Sequence, residues 1–197
     1  MKSRTAAYSR KTGETDVEVE LCLDGSGRSV IDTGVGFLDH LLETLAFHAG
    51  FDLRIRCKGD LQVDDHHTAE DCGLALGAAL DRALGERIGV ARFGWALVPM
   101  DEALARAAVD LSGRPFARLK LRFRREKIGA LSCENIGHFF GSLAVGGRLC
   151  IHLDVIRGGN DHHRAEAAFK AAALALRAAV ARIDRDEVPS TKGALVL

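Results

Sequence analysis

The sequence has no excess charge of either sign: 27 Lys and Arg balance 27 Asp and Glu, for a formal net charge of zero. A protein that grips nucleic acid or an anionic membrane needs a positive surplus, so neither partner is expected. No C-x-x-C pair is present, and the five cysteines, at 22, 57, 72, 133 and 150, are odd in number and scattered. That argues against a disulfide framework and for a reducing, cytoplasmic compartment. Long apolar runs are missing as well. Met1 to Thr15 is polar and charged, so no secretory signal is expected. The longest apolar-looking segment, Ala165 to Val180, is interrupted by Glu166, Lys170 and Arg177 and cannot span a bilayer. A phosphate-cradling glycine loop is absent too, because Gly25, Gly27, Gly34 and Gly36 are spaced for turns.

What is present is ample material for a core. At 197 residues, 47% hydrophobic and 27% charged, the chain suits one compact domain or two small fused ones. Glycine is abundant, 21 of 197, against a usual share of about 7%, which implies many tight turns. Of the 27 basic residues 20 are arginine, the side chain suited to bidentate recognition of phosphate or carboxylate.

The chain is written twice. Asp65-His66-His67-Thr68-Ala69-Glu70 returns 96 residues later as Asp161-His162-His163-Arg164-Ala165-Glu166, and both open a stretch rich in alanine and leucine. Upstream lie related elements, His40 to Ala46 followed by the strand-like Phe51 to Arg56, and His138 to Ala144 followed by Leu149 to Val155. Four features aligned in one order define two homologous halves, 1–92 and 93–197, within one compact unit. From Ala69 onward, apolar positions 69, 72, 76, 80, 83 and 84 recur at helical spacing, and after Glu166 so do 169, 173, 176, 180 and 183. Asp65 and Asp161 stand where an N-cap belongs. Strands are expected at Val17–Leu23, Val30–Thr33, Phe51–Cys57, Ala107–Leu111, Phe116–Phe123 and Leu149–Ile156. The class is α+β, each half a sheet layer covered by helices. Whether the two sheets or the two helix layers pack together is left open by the pattern.

His40, His66, His67, His138, His162 and His163 all belong to the repeat, and only His48 and His152 fall outside it. A lone histidine is usually a satisfied core or surface residue, but packing has no need of paired histidines at two helix starts. Neutral imidazoles with carboxylates are the ligand set of a first-row divalent ion. Within His-His-x-x-Glu the glutamate lies one turn from the histidines, so one His and the Glu can share an ion. Adjacent histidines diverge by about 100° on a helix and are expected to serve two different ions. With carboxylates and no thiolate in the pattern, the candidates are Mn²⁺, Fe²⁺ and Zn²⁺, and six-coordination favours Mn²⁺.

The chain resembles the imidazoleglycerol-phosphate dehydratases, lyases of histidine biosynthesis, over nearly its whole length. The resemblance is carried by Glu14-Thr15, Phe37-Leu38-Asp39-His40, Asp65 to Asp71, Arg92-Phe93-Gly94 and Pro99-Met100-Asp101-Glu102. It continues through Leu111-Ser112-Gly113-Arg114-Pro115, Glu134 to Phe140, Asn160 to His163, Phe169-Lys170 and Pro189-Ser190-Thr191-Lys192-Gly193. It implies a duplicated fold like ribosomal protein S5 domain 2, two Mn²⁺ ions per active site, and a homo-oligomeric shell of 24 subunits with sites between protomers. It implies metal ligation by His40, His66, His67, Glu70, His138, His162, His163 and Glu166. The phosphate of a phosphorylated imidazole substrate would be gripped by Arg92, Arg114, Lys170, Ser190, Thr191 and Lys192. Glu14 would sit by the glycerol carbons.

Dehydrating such a substrate breaks a C–H bond that no carbonyl acidifies. The ring can supply the push: an imidazole deprotonated between two metals becomes an imidazolate able to expel hydroxide from the adjacent carbon. Glu14 is the candidate for proton transfer at the carbon chain, with Asp101 and Glu102 as rivals. Two other classes compete, a metal-storage cage and a dinuclear hydrolase. Storage has no use for the Arg and Lys cluster, and a hydrolase leans on bridging carboxylates that the repeat does not offer.

Overall fold

A computed structural model describes residues 3–184 and 187–190. The first half runs β1 (Thr5–Lys11), β2 (Thr15–Cys22), β3 (Ser29–Asp32), α1 (Gly36–Ala49), β4 (Asp52–Gly59) and α2 (His66–Leu84). The second runs β5 (Phe93–Met100), β6 (Ala103–Asp110), β7 (Phe116–Lys120), a short hairpin β8 (Lys127–Ile128) and β9 (Leu131–Ser132), α3 (Cys133–Gly146), β10 (Cys150–Arg157) and α4 (Asp161–Ala179). Apart from that hairpin the element order is identical.

So is the topology. The sheets are ordered β1-β2-β4-β3 and β5-β6-β10-β7. In each, the fourth main strand pairs antiparallel with the second and parallel with the third. Alternation sets the inner face: Val17, Val19 and Leu21 of β2 are buried while Glu18 and Glu20 are exposed, and β6 buries Ala103, Ala105, Ala107 and Val109. The fold is thus α+β with two sheet/helix halves, as the duplication implied.

The helix layers, and not the sheets, meet in the middle. α2 packs on α3 and α1 on α4, each contact joining one half to the other. Small residues make this possible. A Cβ at Gly73 would stand 2.5 Å from the Phe139 carbonyl oxygen, and one at Gly77 would stand 2.5 Å from the Gly147 nitrogen. Any larger residue there would push α2 off α3. Phe139, Phe140 and Phe169 fill the centre, with ring centroids 4.6 to 5.6 Å apart. A buried cation, Arg87, ties the ends of three elements, donating to the carbonyls of Leu111, Gly147 and Arg148 and to Asp81 at 2.5 Å.

Several expectations need correction. Each half has two helices where the long apolar periodicity pointed to one, because α1 and α3 are shorter and enter as the segments around His40 and His138. The edge strands β1 and β5 lie outside the expected set; β1 is half-exposed or exposed throughout, so it lacks a buried alternation to read. α4 ends at Ala179, which leaves Ile183 beyond the helix. Asp65 does hold the N-cap position of α2, though its side chain makes no capping bond, while in α4 the cap is Asn160, one residue before Asp161. Asp64 and Asn160 accept from the His66 and His162 backbone N–H at 2.8 and 2.9 Å. Asp65 and Asp161 instead reach other segments, Asp65 to Ser132 and Asp161 to the N–H groups of Arg124 and Arg125.

Candidate metal centres

The cross-half helix contacts build the histidine groups. His40 projects from the first turns of α1 and meets His162 and Glu166 of α4. The His40 and His162 Nε2 atoms stand 3.1 and 2.9 Å from the same oxygen, Glu166 Oε1. One ligand atom from each residue lies within 4.8 Å of the others, and among the described residues this is the one set of three that does so. Metal–ligand bonds of about 2.1 Å meeting at right angles put neighbouring ligands about 3 Å apart. The two His–Glu separations match that edge, and the nitrogen and oxygen donors suit a borderline divalent ion. The residues therefore fit the metal that the pattern implies.

The counterpart forms between α2 and α3. The His66 and His138 rings are 4.3 Å apart at 82°, and Glu70 lines the same groove as His138. His66 Nδ1 is 3.1 Å from Asn135 Oδ1, which orients the ring. The two groups differ in their surroundings. Lys170 donates to Glu166 Oε2 at 2.7 Å and contacts Met100 Sδ at 3.2 Å, whereas the position one turn beyond Glu70 is Leu74. Burial works to raise the Glu166 carboxyl, but Lys170, His40 and His162 outweigh it and bring it down to about 2.

His67 and His163 join neither group. His67 turns toward the end of β4 and the β1–β2 turn, with Nδ1 3.1 Å from both Asp60 oxygens and Nε2 3.6 Å from Glu14. His163 turns toward the β5–β6 turn, with Nδ1 2.8 Å from Glu102 Oε2 and Nε2 3.8 Å from Asp101. The hydrogen bond to Asp60 raises the His67 pKa, and the one to Glu102 raises that of His163. Glu102 itself is lowered to about 2, first by His163 and then by the N–H groups of Asn160 and Gly159. So adjacent histidines do diverge. Asp60 and Asn135 are site residues that the repeat cannot reveal, since neither belongs to it.

The basic residues expected at the phosphate are distributed unevenly. Arg92 is paired with Asp110 at 2.7 and 3.1 Å and donates to the Pro189 carbonyl at 2.7 Å, so it holds the start of the C-terminal tail. Lys170 is committed to Glu166. Arg114 is exposed on a turn closed by Ser112, whose hydroxyl accepts from the Arg114 N–H at 3.3 Å. Its neighbours Pro115 and Phe116 line the groove of Glu70 and His138. Ser190 lines a cavity with Arg92 and Pro189, while Thr191 and Lys192 lie outside the described residues.

The model of the imidazoleglycerol-phosphate dehydratase family matches residues 33–176, a span that holds every histidine and glutamate of both groups. The chain belongs to that family. The dehydratase of Salinibacter ruber is 56% identical over 193 residues, covering 98% of this chain and 96% of that protein. The dehydratase of Cereibacter sphaeroides strain KD131 is 55% identical, covering 98% and 100%. A longer relative from Phytophthora nicotianae is 56% identical, and the chain spans 42% of its length. Among solved structures, the dehydratase of Pyrococcus furiosus superposes with a TM-score of 0.82 at 39% identity, covering 96% of this chain and 99% of that one. That of Staphylococcus aureus gives 0.81 at 38%, covering 90% and 99%. Membership makes the chain a carbon–oxygen hydro-lyase. No helix among the described residues is long and apolar enough to cross a membrane.

Proposed function

We propose that this protein removes water from imidazoleglycerol phosphate to give imidazoleacetol phosphate, a step of histidine biosynthesis in the cytoplasm, with two Mn²⁺ ions at each site. The observation that carries the reading is the convergence of His40, His162 and Glu166 on one point, with His66 and His138 repeating the arrangement across the other helix pair. Bound there, the metals supply acidification of the substrate's imidazole ring.

The chain's own residues do the rest. Glu14, on the β1–β2 turn and about half exposed, carries a carboxylate beside His67 that is free to take a proton from the substrate's carbon chain. Asp101 holds the matching place beside His163, at 3.8 Å from its Nε2. Arg114 receives the phosphate, because its guanidinium has no carboxylate partner among the described residues and its turn is fixed by Ser112. Arg92 contributes by tethering the tail that bears Ser190, Thr191 and Lys192.

The His40, His162 and Glu166 group offers an ion three ligands from one chain, and the other brings together the rings of His66 and His138; both fall short of a six-coordinate site. His67 and His163, turned away from both groups, are the natural completion of a site on a neighbouring copy. The outer face of the second sheet supports assembly: Phe93, Trp95 and Leu97 of β5 are 60%, 77% and 56% exposed, a stripe that a lone soluble chain would be expected to cover. Incubating the metal-stripped protein with imidazoleglycerol phosphate, with and without Mn²⁺, tests the reading. Imidazoleacetol phosphate should appear only with metal, and its absence with Mn²⁺, Fe²⁺ and Zn²⁺ alike would overturn it.

A further inference from the structure

We propose that Asp60 and Glu102 are positioning residues, each taking the Nδ1–H of the second histidine of a pair so that its Nε2 is fixed as a metal ligand. The inference rests on the metal reading above and goes beyond the ligands themselves. In both halves the second histidine makes the same choice. His67 gives Nδ1 to Asp60, at 3.1 Å from each oxygen, and His163 gives Nδ1 to Glu102 at 2.8 Å. Both leave Nε2 facing a different carboxylate, Glu14 at 3.6 Å and Asp101 at 3.8 Å. Those distances are too long for a hydrogen bond.

The two carboxylates are not descendants of one residue. Asp60 directly follows β4, and the residue that directly follows the matching strand β10, 98 positions on, is Gly158. Glu102 comes from the β5–β6 turn instead. Duplication therefore does not explain the shared hydrogen bond; each half has acquired it from a different direction. A neutral imidazole must place its single proton on one nitrogen, and an acceptor at Nδ1 puts it there, which leaves the Nε2 lone pair for an ion. The same bond fixes the ring plane and makes Nε2 a better donor.

Each carboxylate is itself anchored. The Asp60 backbone N–H donates to the Glu14 carbonyl at 3.0 Å, so the orienting acid and the acid facing Nε2 move together. Glu102 Oε1 accepts from the N–H groups of Gly159 and Asn160 at 2.8 and 2.7 Å. Asn160 in turn caps α4 through the His162 N–H. The loop that launches α4 and the ring of His163 thus share one support.

The test is titration of the metal-stripped, full-length protein with MnCl₂ by calorimetry, followed by Mn²⁺ EPR. Asp60→Ala should weaken binding about 10- to 100-fold, while Asp60→Asn, whose amide oxygen still accepts from Nδ1–H, should recover most of the loss. In a His67→Ala background, Asp60→Ala should add nothing, because its effect passes through that ring. Glu102→Gln and Glu102→Ala, with and without His163→Ala, repeat the series in the other half and separate loop support from ring orientation. If His67→Ala lowers affinity but Asp60→Ala does not, or if their losses add, the positioning role is refuted and the ligand reading survives. If neither His67→Ala nor His163→Ala changes Mn²⁺ binding, the ligand reading fails, and this inference with it.

Discussion

Gly73→Ala would put a methyl group where α2 lies closest to α3. A Cβ there meets the Phe139 carbonyl oxygen at 2.5 Å and the Ser142 Cβ at 2.9 Å, where ordinary contact begins at 3.4 Å. The helices must then separate by about 0.9 Å (3.4 − 2.5). Overpacking costs about 1–3 kcal/mol, and the upper end applies because the obstacle is backbone. Alanine's better helix propensity offsets about 1 kcal/mol of this. The net loss of about 2 kcal/mol lowers Tm by roughly 4–8 °C in a chain of this size. The same displacement reaches the site, since Glu70 precedes Gly73 on α2 by one turn and His138 adjoins Phe139. Metal sites tolerate about 0.2 Å, so Mn²⁺ should weaken at the His66–His138 group and hold at the His40–His162–Glu166 group. Gly141→Ala is the control: its Cβ meets nothing within 4 Å, and the propensity gain alone should raise Tm by about 2–4 °C. Differential scanning fluorimetry and calorimetric titration, at fixed protein and metal concentration, read both effects. A Gly73→Ala protein with unchanged Tm and two intact classes of Mn²⁺ site would refute the close approach of α2 and α3.

Arg87→Met should cost about 3 kcal/mol or more, because it strands three buried carbonyls that one guanidinium satisfies, while Asp81 keeps Arg148 at 3.5 Å; a melting temperature within 2–4 °C of the parent, about the shift expected of 1 kcal/mol, would show that the network adds little. Arg114→Ala should raise the KM for the phosphorylated substrate at least tenfold while leaving metal content intact, and an unchanged KM would remove Arg114 from the phosphate. Glu14→Gln should keep metal and substrate but lose turnover by two orders of magnitude or more, as removal of a general base does; kcat within a few-fold of the parent would move the proton transfer to Asp101. A chelator, or pH well below the free histidine value of about 6.5, should break the assembly into smaller species, and Mn²⁺ at neutral pH should restore it. Light scattering that gives one mass under all conditions would show that metal plays no part in holding the copies together.

The duplication made most of the fold legible. Repeated His-His-x-x-Glu strings fixed two long helices, and buried positions 69, 72, 76, 80, 83 and 84 fall on the inner side of α2 as their spacing demanded. What stayed hidden was which layers meet. Sheet and helix faces are both apolar on one side, and the composition of a face does not say which other face it touches. The deciding residues were glycines: Gly73, Gly77 and Gly146 read as turn formers or weak helix positions until a second helix backbone is seen lying against them. Edge strands were lost for a related reason, because β1 has no buried alternation and β5 turns Phe93, Trp95 and Leu97 outward.

The candidate site follows the same rule. Its histidines and glutamates were readable because the repeat selects them, yet their grouping was not, because it depends on the helix contact. His40 finds His162 and Glu166 only when α1 lies on α4, and His138 finds His66 only when α3 lies on α2. Neither half contains a complete group. The duplication therefore shapes the candidate site as well as the fold: each half lends one histidine to the other's helix, so the halves must stay docked for either group to exist. Divergence then acted on the surroundings, with Lys170 against Leu74 beyond the two glutamates and Phe37 against Asn135 before His40 and His138. Two ions held by matching ligands would thus sit in unlike fields, one beside a lysine-paired carboxylate and one beside a carboxylate followed by leucine.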